Sequence, residues 1–128
     1  MPIKILVVED SEIVRKVIEI TLSSLSYNVD IAINGLEAIR LFKKNDYDIV
    51  FMDLGLPDIS GIEVTKELRR FEEVQNSIPI IALTAHHTKL DKELGLTAGI
   101  QEFVLKPLTK EMAQATINKY VEKNNLFT

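Results

Sequence analysis

The stretch Asp48-Ile49-Val50-Phe51-Met52-Asp53, running on into Leu54-Gly55-Leu56-Pro57-Asp58-Ile59-Ser60-Gly61, decides the fold. Its apolar core is continuous, as expected of a strand covered by helices on both faces at the centre of a parallel sheet. It ends on a carboxylate, Asp53, and then breaks into a Gly- and Pro-rich turn. Two other runs share this form. Lys4-Ile5-Leu6-Val7-Val8 closes on Glu9 and Asp10, and Ile78-Pro79-Ile80-Ile81-Ala82-Leu83 closes on Thr84. A shorter run, Glu102-Phe103-Val104-Leu105, ends on Lys106.

Between these runs lie helical start signals. Asn34 to Glu37 and Ser60 to Glu63 read as capping boxes, and Thr88 to Asp91 as a weaker version. Ser11 is placed to cap a helix with Ile13, Val14, Val17, Ile18, Leu22 and Leu25 on its apolar side. Val64, Leu68 and Phe71 repeat at helical spacing, as do Leu90, Leu94 and Ala98, with Gly99 placed to end that helix. Thr109 is placed to open a last helix, Glu111 to Lys123, burying Met112, Ala113, Ile117, Tyr120 and Val121. Strand and helix thus alternate five times, with strands near 3–8, 28–32, 48–52, 79–83 and 102–104. The second strand, Val29-Asp30-Ile31-Ala32, is broken by an acid and the fifth is short, so both read as edges. The order 2-1-3-4-5 satisfies this and the right-handed crossover rule, giving an α/β, doubly wound, flavodoxin-like (βα)5 sheet.

Composition bounds the chemistry. A chain of 128 residues, 46% hydrophobic, holds one compact domain and little else, so residues 1–128 are expected to form a single domain with no second module attached. The net charge of −4 and the scattered basic residues argue against direct nucleic-acid binding. Without cysteine there is no disulfide, thiol nucleophile or sulfur-ligated metal. No apolar stretch has the length to span a bilayer and no basic leader precedes the first run, so no membrane insertion and a cytoplasmic location are expected.

Parallel strands of one sheet bring Glu9, Asp10, Asp53, Thr84 and Lys106 to a common carboxyl edge, where open α/β sheets bind ligands. Taken singly, Asp53 could cap a turn, Asp10 a helix, and Lys106 could be a surface cation. Together they make a magnesium-dependent phosphoryl site. A carboxylate is already ionised at neutral pH and attacks phosphorus without a general base. Closely packed carboxylates repel unless a cation intervenes, and their oxygens suit Mg²⁺.

The motifs ILVVEDSEIVR, NGLEAI, DIVFMDLGLPDISGIEV, PIIALTA and AGIQEFVLKPL resemble the receiver domain of two-component response regulators, from Ile3 to about Val121. The resemblance implies that Asp53 is the phosphoacceptor, Glu9 and Asp10 the acidic pair, Thr84 the switch hydroxyl and Lys106 the phosphate-pairing lysine. It also implies that the backbone carbonyl of Gly55 completes the metal site, that the Lys106–Pro107 peptide is cis, and that Phe103 is the switch aromatic, a position a core strand residue would equally fill. Its implied partner is a histidine kinase or histidine phosphotransfer protein, with no metabolic turnover. A phosphorylated Asp53 would change the face formed by the fourth helix, fifth strand and last helix.

Gly55 offers no side chain to orient or block an attacking water. His86 is expected to project into solvent, and His86-His87 is not expected to bind metal. A haloacid-dehalogenase-type phosphohydrolase would want an acid where Gly55 stands. A flavin module would want a hydroxyl-rich loop where Glu9-Asp10-Ser11-Glu12 stands. A phosphorylation-independent scaffold would lack one of the key residues. A free-standing carrier and a module of a hybrid kinase both fit, and a monomer is expected.

Overall fold

The computed structural model describes residues 3–71, 78–85 and 88–122. His86, His87 and Lys123, each named in the expectations above, lie outside them. Among the described residues strands and helices alternate: β1 (Lys4–Val8), α1 (Glu12–Ser23), β2 (Asn28–Ala32), α2 (Gly35–Lys44), β3 (Ile49–Asp53), α3 (Gly61–Phe71), β4 (Ile80–Thr84), α4 (Lys89–Ala98), β5 (Glu102–Leu105) and α5 (Lys110–Ile117). A five-residue π-helical turn, Asn118–Glu122, continues α5. The sheet is parallel, in the order β2-β1-β3-β4-β5. No helix among the described residues is long and apolar enough to cross a membrane.

The two faces of the sheet build two cores, because successive strand side chains alternate sides. Ile5, Val7, Ile49, Phe51, Ile81, Leu83 and Val104 pack under α1 and α5, against Ile18, Leu22, Ala113 and Ile117. Leu6, Val8, Val50, Met52, Ile80 and Ala82 pack on the other face, against Ala38, Phe42, Val64, Leu68 and Ile100.

Helix starts follow the sequence signals. Ser11 Oγ accepts from Val14 N–H, Asn34 Oδ1 from Glu37 N–H, Ser60 Oγ from Glu63 N–H and Thr109 Oγ1 from Met112 N–H. The Thr88–Asp91 pair, the weakest of the capping signals, closes both arms of its box. In the Asn34 box, Glu37 instead accepts from Ile33 N–H, one residue earlier. Gly99 ends α4 at φ 117°, a left-handed conformation that disfavours a side chain.

The apolar faces of three helices differ from expectation. Ile13, at 76% exposure, and Val17 stand in solvent with Ile20, while Val14, Ile18, Leu22 and Leu25 face the core. α1 carries two apolar stripes, and the sheet covers one. Leu90, Leu94 and Phe71 are likewise exposed. α4 turns its small residues inward instead: Gly95 and Ala98 are its buried positions, and a Cβ on Gly95 would meet the Phe103 ring at 2.5 Å.

Candidate functional site

Strand parity aims the site. The alternation that sends Ile5 and Val7 beneath α1 and α5 carries on to Glu9. In the same way Ile49 and Phe51 lead to Asp53, and Val104 leads to Lys106. Two backbone bonds extend the ladders far enough to hold these residues: Glu9 N–H to Ala32 O at 3.0 Å and Lys106 N–H to Thr84 O at 2.8 Å. Lys106 Nζ then sits 2.8 Å from Glu9 Oε1 and 3.3 Å from Asp53 Oδ1. The following Lys106–Pro107 peptide is cis, as the resemblance implies.

Glu9 is 1% exposed. Its Oε2 accepts from Ser11 N–H at 3.1 Å. Its Oε1 lies close to the ammonium but makes no directed hydrogen bond, so a buried oxygen keeps spare capacity. Burial pushes the Glu9 carboxyl above its ordinary range and the nearby Asp53 charge adds to that, while Lys106 and the Ser11 N–H pull the other way. For Lys106 burial alone would depress the ammonium. The close ionic contact and charge of Glu9, with Asp53, outweigh burial and raise it, so the lysine stays charged.

Glu9, Asp10 and Asp53 each offer a carboxylate oxygen, all within 4.8 Å of one another. Oxygens sharing one ion at about 2.1 Å stand roughly 3–4 Å apart, so a slight contraction brings the three onto a small hard cation. The buried and incompletely bonded oxygen of Glu9 and the all-oxygen donor set fit a metal site.

Thr84 and Phe103 belong to the other parity. Thr84 follows Ile80 and Ala82, and Phe103 packs against the same core as they do. The structure therefore brings Glu9, Asp10, Asp53 and Lys106 together and sets Thr84, itself buried, at the neighbouring strand end. Gly55 stands beside the carboxylate, its N–H donating to Asp53 Oδ1 at 3.0 Å. A Cβ there would lie 3.8 Å from that oxygen, so a side chain at this position would overhang Asp53 without a clash.

Some residues at the site escape a reading by motif. Arg15 reaches back along the first turn of α1, its Nη1 donating to the carbonyls of Glu9 at 3.2 Å and Asp10 at 2.6 Å. Only its place one turn beyond the Ser11 cap hints at this. Gly61 lets α3 start against β3: a Cβ there would meet Asp53 O at 2.3 Å and Leu54 Cα at 2.8 Å. Those are backbone atoms that cannot swing aside. Gly61→Ala is expected to cost about 1–3 kcal/mol in urea unfolding and to displace the loop behind Asp53.

Comparison with known proteins agrees with this geometry. The family model for the response regulator receiver domain matches residues 5–123. Hybrid signal transduction histidine kinase F of Dictyostelium discoideum is 34% identical over 125 residues, which are 95% of this chain and 11% of that kinase. The chain thus spans about a tenth of that relative. The receiver domain of a Pseudomonas aeruginosa PAO1 sensor histidine kinase, solved with a magnesium ion coordinated in its active-site cleft, superposes with a TM-score of 0.85. It is 34% identical and covers 95% of this chain and 99% of that one. A chain from the Saccharomyces cerevisiae complex of a histidine phosphotransfer protein with the receiver domain of its downstream response regulator gives a TM-score of 0.87. It is 30% identical over 96% of this chain and 91% of that one. With a family match over nearly its whole length, and a parallel β2-β1-β3-β4-β5 sheet that carries an acidic cluster at its carboxyl edge, this chain belongs to the response regulator receiver domain family.

Proposed function

We propose that this chain takes a phosphoryl group onto Asp53 from a phosphohistidine of a histidine kinase or histidine phosphotransfer protein. The convergence of one ammonium on two carboxylates, Lys106 with Glu9 and Asp53, carries this reading. Asp10, Asp53 and the Gly55 carbonyl would hold Mg²⁺, with Glu9 behind them. When bound, the ion neutralises phosphoryl oxygens and lets an anionic nucleophile approach them.

The chain's own residues do the rest. Asp53 attacks phosphorus and the histidine nitrogen leaves, so one P–N bond is exchanged for one P–O bond. Lys106 exchanges a carboxylate partner for a phosphoryl oxygen. Thr84 donates its hydroxyl to another oxygen, and the β4–α4 connection moves inward to let it do so. Phe103 follows into the vacated space and reshapes the α4-β5-α5 surface, a population shift between two arrangements of one fold. Hydrolysis of the acyl phosphate resets it. The chain acts as one receiver unit in the cytoplasm, as a monomer. Its chemistry is performed on itself, without metabolic turnover.

Intact-mass spectrometry after incubation with acetyl phosphate tests this. One added phosphoryl group is expected, dependent on Mg²⁺ and lost in Asp53→Asn. An unchanged mass with Mg²⁺ present would leave a phosphorylation-independent binding role.

A further inference from the structure

The loop 54–60 that follows Asp53 is tied at three points. Gly55 N–H donates to Asp53 Oδ1, and Gly61 N–H donates to Leu54 O at 3.1 Å. The third tie leaves the loop. Asp58 accepts from Gly35 N–H at 2.9 Å through Oδ1 and from Leu36 N–H at 3.0 Å through Oδ2. These are the first two amides of α2, which have no partner within the helix. Using one oxygen per amide fixes the carboxylate in orientation as well as position. The hydrogen bond from Gly35, with the Leu36 amide, holds the Asp58 carboxyl below its ordinary range.

Packing removes slack from this joint. A Cβ on Gly35 would meet Val64 Cγ2 at 2.7 Å, Asp58 Oδ1 at 3.3 Å and Ile59 Cβ at 3.3 Å. Meanwhile α2 has its own cap, Asn34 Oδ1 to Glu37 N–H at 2.9 Å. An exposed aspartate that bonds to amides 22 and 23 residues away is therefore more than a cap. It pins the loop carrying Gly55 onto a separate element of the fold.

We propose that Asp58 is a positioning residue for the metal site, holding the Gly55 backbone in place beside Asp53 by latching loop 54–60 to the start of α2. This rests on the proposed metal role of Asp53 and Gly55. The latch touches neither the ion nor the phosphoryl group. It limits how far the Gly55 carbonyl can wander when no ion is bound, and so reduces the ordering that binding must supply.

The test is a Mg²⁺ titration followed by the backbone amide resonances of Gly55 and Asp53, on the native chain, Asp58→Ala, Asp58→Asn and Asn34→Ala. Asp58→Ala is expected to weaken Mg²⁺ binding about tenfold. Its phosphoryl uptake from acetyl phosphate should fall at low Mg²⁺ and recover at saturating Mg²⁺. Asp58→Asn, which keeps one acceptor and the side-chain shape, should lie between, and it carries the test if the alanine variant does not fold. Asn34→Ala removes the other cap of the same helix end and should leave Mg²⁺ affinity unchanged. Native affinity in both Asp58 variants, or equal weakening in Asn34→Ala, overturns the latch. A native chain that gains no phosphoryl group would overturn the receiver chemistry of the site, and the latch with it; an adduct with unshifted affinities overturns the latch alone.

Discussion

Lys106→Met is expected to destabilise the metal-free chain by about 3 kcal/mol and to make its stability depend on Mg²⁺. The ammonium is the close cationic partner of two carboxylates, one of them 1% exposed. Removing one member of such a set leaves charge buried without compensation, which costs far more than the intact pair contributes. For a domain of this size the loss lowers the midpoint of thermal unfolding by roughly 10 °C. A cation shared by Glu9, Asp10 and Asp53 replaces part of the missing charge, so added Mg²⁺ should restore several degrees in the variant, more than it adds to the native chain. Phosphoryl uptake from acetyl phosphate should stay depressed by about a hundredfold even then, because no donor remains for the incoming oxygen. Melting curves with and without Mg²⁺, read beside intact mass, check both halves. An unchanged melting temperature would mean that Glu9 is carried without its charge.

Arg69→Ala should be comparably costly at the opposite end of the molecule, and silent in phosphoryl chemistry. The guanidinium leaves the last turn of α3 and donates to Gly99 O through Nε and Nη2, to Ile78 O at 2.7 Å and to Gln101 Oε1 at 2.8 Å. Gln101 Oε1 in turn accepts from Ile80 N–H at 2.7 Å. One side chain thus joins the end of α3, the entry to β4 and the α4–β5 turn. The Gly99 turn closes on it: a Cβ there would stand 2.6 Å from Arg69 Nε. Hydrogen bonds to a charged donor contribute about 1.5–3 kcal/mol each, with losses in one network less than additive, so a total near 3 kcal/mol in urea unfolding is expected. Lysine cannot reproduce the planar fork, and Arg69→Lys should recover less than half of it. Folded Arg69→Ala should still take a phosphoryl group on Asp53 at the native rate.

The sequence made the sheet and its chemical edge legible for a physical reason. A strand buried on both faces is a local pattern, and the residue at its carboxyl end is found by counting. Asp53, Thr84 and Lys106 could therefore be placed from β3, β4 and β5 alone. What local pattern cannot supply is the choice between two apolar stripes on one helix. α1 offers Ile13, Val17 and Ile20 as well as Val14, Ile18 and Leu22, and only packing tells which the sheet covers. Contacts that cross the chain were equally hidden. Asp58 to the start of α2 and Arg69 to Gly99 join segments whose sequences carry no mark of each other. Gly61 stood in plain view as a helix-start residue, but its close approach to the Asp53 carbonyl arises only once loop 54–60 folds back on the end of β3.

The even–odd division of the strands has an engineering consequence. Glu9, Asp53 and Lys106 sit on one side of the partition, backed by the α1/α5 core, and Thr84 and Phe103 on the other, backed by the core that α2 and α3 cover. A mutational library confined to Ile5, Val7, Ile49 and Phe51 remodels the backing of the chemistry, whereas one confined to Val50, Met52, Ile80 and Ala82 remodels the backing of the read-out. The sheet is thin enough to couple the two halves through its strand ends, yet it gives each a separate wall to tune.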